Sequence, residues 1–141
     1  MAHARRPVVA GALLAPGAGA GSDQAALVAL DRALTSLGLR VERIDFPYRL
    51  AGRRRPDTPS VLEATVRDRT VALAGGAGRG TEALVLGGRS MGGRICSQVV
   101  AQGLPAAGLV LVSYPLHPPG RPEKARVITV LSFTVDRMAC L

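Results

Sequence analysis

The sequence predicts an α/β protein, a three-layer αβα sandwich around a parallel sheet of about five strands. Three observations carry that expectation. Short apolar runs such as Ala83-Leu84-Val85-Leu86 are continuous rather than alternating, as strands covered on both faces require. The segments between them carry apolar residues at helical spacing. Between one such strand and the following helix stands Gly88-Arg89-Ser90-Met91-Gly92, a serine crowded by glycines at a strand-to-helix turn.

Taken in order, residues 7–14 read as a buried strand and 16–21 as a glycine-rich loop. Residues 23–37 place Leu27, Leu30, Leu34 and Leu37 on one helical face, with Ser22 or Asp23 as the N-cap and Gly38 as the stop. Residues 41–45 form a second short strand, running through Phe46-Pro47-Tyr48 into a polar loop over 52–59. A helix over 60–74 opens with the capping-box pattern Ser60-x-x-Glu63, and the glycines of 75–80 break it. The third strand then leads into the serine turn and a helix carrying Met91, Ile95 and Val99, closing near Gly103. Residues 108–113 make a fourth strand, 114–122 a proline-rich loop and 126–135 a fifth apolar, β-branched run. Residues 1–6 are expected to be a flexible N-terminus and 7–141 a single domain.

Composition narrows the function classes. Hydrophobic residues make up 48% of the 141 residues but aromatic ones only 3%, so the core must be aliphatic. Basic residues outnumber acidic ones 18 to 10, which raises the question of an anionic partner. The excess is arginine spread along the chain, with Lys124 the single lysine and no docking motif, so nucleic acid is not an expected partner. Cys96 and Cys140 are too few and too far apart for a disulfide framework or metal site; no metal or cofactor is expected, and a reducing cytoplasm fits. Arg5-Arg6 before an apolar run imitates a secretion signal, but Gly11 and Pro16 interrupt that run, which reads better as the first strand. No segment approaches the roughly 20 apolar residues of a membrane span.

The serine turn is the chemical feature. A G-x-S-x-G elbow lifts a serine hydroxyl above the end of a parallel sheet, and Gly88 and Gly92 remove side chains that would strike the neighbouring strand or helix. Two nucleotide-binding patterns compete with it. Gly17-x-Gly19-x-x-Ser22 with Asp45 ending the next strand imitates a dinucleotide fingerprint, but Ser22 replaces the third glycine and Pro16 intrudes. Residues 75–81 imitate a phosphate loop, but Arg79-Gly80-Thr81 lacks the lysine, and the segment precedes a strand instead of following one. Arg53-Arg54-Arg55 either meets an acidic substrate or forms a solvated loop.

Four segments together carry a resemblance: Gly87-Gly88-Arg89-Ser90-Met91-Gly92-Gly93-Arg94, Asp45-Phe46-Pro47-Tyr48-Arg49, Gly52-Arg53-Arg54-Arg55-Pro56-Asp57 and Tyr114-Pro115-Leu116-His117-Pro118-Pro119-Gly120. They resemble the branch of the α/β-hydrolases that groups bacterial dienelactone-hydrolase-like proteins with testis-expressed protein thirty. The resemblance implies an α/β-hydrolase sheet, Ser90 as nucleophile, and hydrolysis of a small-molecule ester or related acyl substrate. It implies the Met91 N–H as one oxyanion donor and a second from the loop after the first strand, where Ala18 is the chosen N–H and Gly17 and Gly19 remain alternatives.

The triad of this fold runs in the order serine, acid, histidine. After Ser90 the only aspartate is Asp136, and the only histidine, His117, precedes it. Asp136 closes an apolar run and is the candidate acid; a solvated terminal position is the other reading. His117 is either a substitute base or a loop-shaping residue. The late histidine has no counterpart before Leu141, so the expectation is a C-terminally truncated or frame-altered hydrolase lacking its last strand and helix, possible self-association through an exposed sheet edge, and reduced activity or none. The alternative is a non-catalytic α/β-hydrolase-like binding or scaffold protein.

Overall fold

The computed structural model describes residues 8–113 and Gly120. Four strands, β1 (Gly11–Ala15), β2 (Arg40–Arg43), β3 (Leu84–Arg89) and β4 (Gly108–Val112), form one sheet in the order β2-β1-β3-β4. Every neighbouring pair is parallel. Four α-helices accompany them: α1 (Ala25–Ser36), α2 (Pro47–Leu50), α3 (Pro59–Gly76) and α4 (Met91–Ala101). This is the layered α/β architecture that the apolar runs predict. The fifth apolar run, 126–135, and the N-terminal segment 1–6 lie outside the described residues.

Side chains alternate across each strand, so one strand feeds two cores. Leu13, Ala15, Leu84 and Leu86 face α3 and α4, where they pack with Leu62, Val66, Ile95 and Val99. Ala12 and Val85 face the other way and join Leu34 of α1, with Val9, Val41 and Val110 packed alongside. The central strands β1 and β3 are fully buried at Leu13, Leu14 and Leu86, as continuous apolar strands should be. The outer strand β2 carries Arg40, Glu42 and Arg43, and a charged edge resists pairing with foreign strands.

Two local expectations are corrected and one short helix is added. The N-cap of α1 is Gln24, not Ser22 or Asp23, because the Ser22 hydroxyl is bonded to Asp45. The helix expected from Ser60 starts one residue earlier, at Pro59, with Thr58 as N-cap and no capping-box bond. Proline suits this first position because its missing N–H would have no helical partner there. The added element is α2, a short helix that no expectation covered, lying between the expected second strand and the polar loop over 52–59. Pro47 starts it, and its Tyr48 N–H donates to Asp57 Oδ2 at 2.9 Å.

Candidate active site

The sheet order itself marks a site. From β1 the chain passes through α1 to β2 on one side, and from β3 through α4 to β4 on the other. The loops leaving β1 and β3 therefore part at the C-terminal ends of two adjacent strands, where open α/β sheets bind their ligands. Ser90 stands at the end of β3 with φ 50° and ψ −115°. A positive φ is uncommon for a residue with a Cβ, and this ψ lies far from the left-handed helical well. The conformation is held from both sides: the Ser90 N–H donates to Val112 O at 2.9 Å, and its carbonyl accepts from the Arg94 N–H at 3.0 Å. The hydroxyl, half-buried, has no hydrogen-bond partner among the described residues.

The elbow glycines are needed for one shared reason. A Cβ on Gly88 or on Gly92 would fall on the carbonyl oxygen of Ala15, the last residue of β1. The bend thus closes around the end of the neighbouring strand and brings the next loop against the serine. A Cβ at Gly17 would lie 3.7 Å from Ser90 Cβ.

That loop is a tight turn in which the Ala20 N–H donates to Gly17 O at 3.1 Å and Gly19 has φ 76°. The buried Gly17 N–H donates to Gln24 Oε1 at 3.0 Å, and the Gly19 N–H donates to Tyr48 Oη at 2.9 Å. Between them the exposed Ala18 has no acceptor for its N–H among the described residues. The Met91 N–H is also without an acceptor there, as the first turn of a helix leaves its donors.

The other sequence candidates separate. His117 and Asp136 lie outside the described residues. Asp45, the imitation ribose-binding acid, has both oxygens on Ser22: Oδ1 accepts the N–H at 2.7 Å and Oδ2 the hydroxyl at 2.9 Å. Arg43 braces the same loop through Ser22 O at 2.7 Å and Asp31 at 2.8 Å. The imitation phosphate loop runs from the end of α3 toward the start of β3, the edge of the sheet opposite Ser90. In the arginine run, Arg53 pairs with Asp57 at 3.2 Å, while Arg54 and Arg55 are exposed. Cys96 is fully buried with its thiol on Gly87 O at 3.5 Å, and burial pushes its pKa up to about 12, so it is an apolar core residue and no nucleophile.

Residues 9–140 match the family model of the alpha/beta hydrolase domain. The chain belongs to this family. Among solved structures, the alpha/beta hydrolase fold seen here is similar to a Xanthomonas campestris pv. campestris protein described as a hydrolase of the alpha/beta superfamily. The two share 24% identity with a TM-score of 0.57 over 84% of this chain, which spans 66% of that protein. No curated protein matches the sequence. In this alpha/beta hydrolase domain the glycine-flanked Ser90 stands at the bend between β3 and α4. Sequence reasoning named Ser90, Met91 and Ala18 but missed Gln24 and the Tyr48 hydroxyl. Tyr48 lies inside the segment Asp45-Phe46-Pro47-Tyr48-Arg49 that carries part of the resemblance, whereas nothing local marks Gln24. Among the described residues no helix is long and apolar enough to cross a membrane.

Proposed function

We propose that this alpha/beta hydrolase domain is a serine-dependent hydrolase of a small ester or related acyl compound, with Ser90 as the nucleophile. The observation that carries the reading is the backbone of Ser90, held at φ 50° and ψ −115° at the sheet's switch point, with a hydroxyl that has no partner among the described residues. Such strain persists where the surrounding structure imposes it, and it gathers at functional sites.

In the proposed reaction Ser90 Oγ attacks the acyl carbon, and the carbonyl oxygen becomes negative. The N–H groups of Met91 and Ala18 are the proposed donors to that charge, since stabilisation of this kind relies on donors that need no reorganisation. A base must take the hydroxyl proton during attack, since a serine is a weak nucleophile at neutral pH. His117 is proposed as a substitute for that base and Asp136 as the acid; both lie outside the described residues. The four-segment resemblance to dienelactone-hydrolase-like proteins supports ester chemistry over other acyl transfers.

A fluorophosphonate probe tests the reading. The wild-type chain should be labelled, and Ser90→Ala should abolish labelling while leaving the fold intact by circular dichroism. A folded wild-type chain that never labels would make this a non-catalytic member of the family.

A further inference from the structure

We propose that Gln24 and Tyr48 are positioning residues that select the Ala18 N–H as the second oxyanion donor by occupying the donors on either side of it. The inference rests on the serine-hydrolase reading and extends it to residues outside the elbow and its loop. Three consecutive N–H groups, of Gly17, Ala18 and Gly19, belong to the turn after β1, whose first residue, Gly17, approaches Ser90. An unclamped turn rich in glycine can rotate its peptides and offer any of them. Here the first is bonded to Gln24 Oε1 at 3.0 Å and the third to Tyr48 Oη at 2.9 Å. Among the described residues the middle one has no acceptor and is left for a ligand, and Ala18 is exposed whereas Gly17 is buried.

Both clamps are themselves anchored. Gln24 is the N-cap residue of α1, yet it makes no side-chain cap bond; its amide reaches back to the turn instead. The Tyr48 ring is fully buried, and its backbone N–H is tied to Asp57 Oδ2 at 2.9 Å. Asp57 is also paired with Arg53. The segments around residues 45–49 and 52–57 thus reach the reacting atoms through the turn, which gives those motif residues a role at the site without contact to substrate. A charge-receiving donor displaced by as little as 1 Å loses much of its effect, so holding the turn still matters to the chemical step.

The test combines labelling kinetics with amide exchange on the full chain. With a fluorophosphonate probe, Gln24→Ala and Tyr48→Phe should each slow the maximal labelling rate roughly ten- to hundredfold at unchanged probe affinity. Gln24→Glu, which keeps an acceptor oxygen for Gly17, should restore most of the rate. Thermal melts on each variant separate this from loss of fold. By NMR hydrogen exchange, the wild-type Gly17 and Gly19 amides should be protected and Ala18 should exchange fast; Gln24→Ala should expose Gly17 alone and Tyr48→Phe Gly19 alone. Wild-type labelling through Ser90 with both variants equally fast would overturn the clamp and leave the nucleophile standing. No wild-type labelling, with the exchange pattern intact, would overturn the serine reading and with it the clamp's catalytic purpose. Uniform fast exchange across 17–19 would overturn the clamp whatever the labelling.

Discussion

Ser90 is where residue identity and backbone geometry conflict most openly. Its φ of 50° with ψ −115° suits glycine better than serine, and such outliers cost about 1–3 kcal/mol. Glycine would relieve that strain but gain unfolded-state freedom worth about 0.4–1 kcal/mol. The strain term is the larger, so Ser90→Gly should stabilise the fold by about 1 kcal/mol relative to Ser90→Ala, which keeps the Cβ. Paired thermal melts would show this as a Tm several degrees higher for the glycine variant. A lower or equal Tm would mean that the backbone is relaxed and that the elbow stores nothing. Ser113, at the end of β4 with φ 51°, is a second non-glycine residue in this unusual region, one position beyond the Val112 carbonyl that holds Ser90.

At the scale of elements, close approach outranks helix propensity. Alanine improves an ordinary helix interior over glycine by about 1 kcal/mol. At Gly92 in α4, however, a Cβ would meet the backbone carbonyl of Ala15, which cannot swing aside as a flexible side chain could. Gly92→Ala should therefore lose about 3 kcal/mol, the upper end of what overpacking costs, because β1 and α4 must move apart. Gly75 in α3 has open space around its Cβ position, so Gly75→Ala should instead gain about 0.5–1 kcal/mol. Urea unfolding of the two variants should show midpoints shifted in opposite directions. A shared direction would mean that helix propensity alone governs both sites. The same contrast shows what was legible beforehand. The pentapeptide revealed that glycine was needed at 88 and 92, but not that one atom, Ala15 O, makes the demand at both. The expected caps at Ser22 and Ser60 failed because side-chain oxygens choose among all nearby partners. Asp45, from beyond β2, took Ser22.

For the whole molecule, pH reports on the core. Cys96 is sealed between α4 and β3, and burial raises its pKa from 9.0 to about 12. The folded chain keeps the proton that the unfolded chain releases above about 9, so stability is full below that pH and declines as pH rises toward 12. Cys96→Ala should flatten this decline relative to wild type, although the cavity lowers its stability near neutrality. Denaturation midpoints across pH 8 to 12 would check it, and parallel wild-type and variant curves would show that the thiol ionises in the folded state. The predicted layers, the parallel sheet and the placing of Ser90 at a strand-to-helix bend were all readable from apolar runs and glycine spacing. Those signals are local, and each depends on residues within one element.

What the sequence by itself determined was the alternation of buried strands with amphipathic helices and the one serine that glycines force into a bend. Strand order was not among those determinations, because parallel strands join through long crossovers and their neighbours are chosen by packing. The tertiary structure decided that β1 and β3 lie side by side, that Gly17 therefore meets Ser90, and that Gln24 and Tyr48 take the two amides flanking Ala18. A hydrogen bond between residues 29 positions apart, such as Gly19 to Tyr48, has no local pattern to announce it. It forms because the folded sheet places both groups at the same edge, where the hydroxyl of the buried Tyr48 must find a partner.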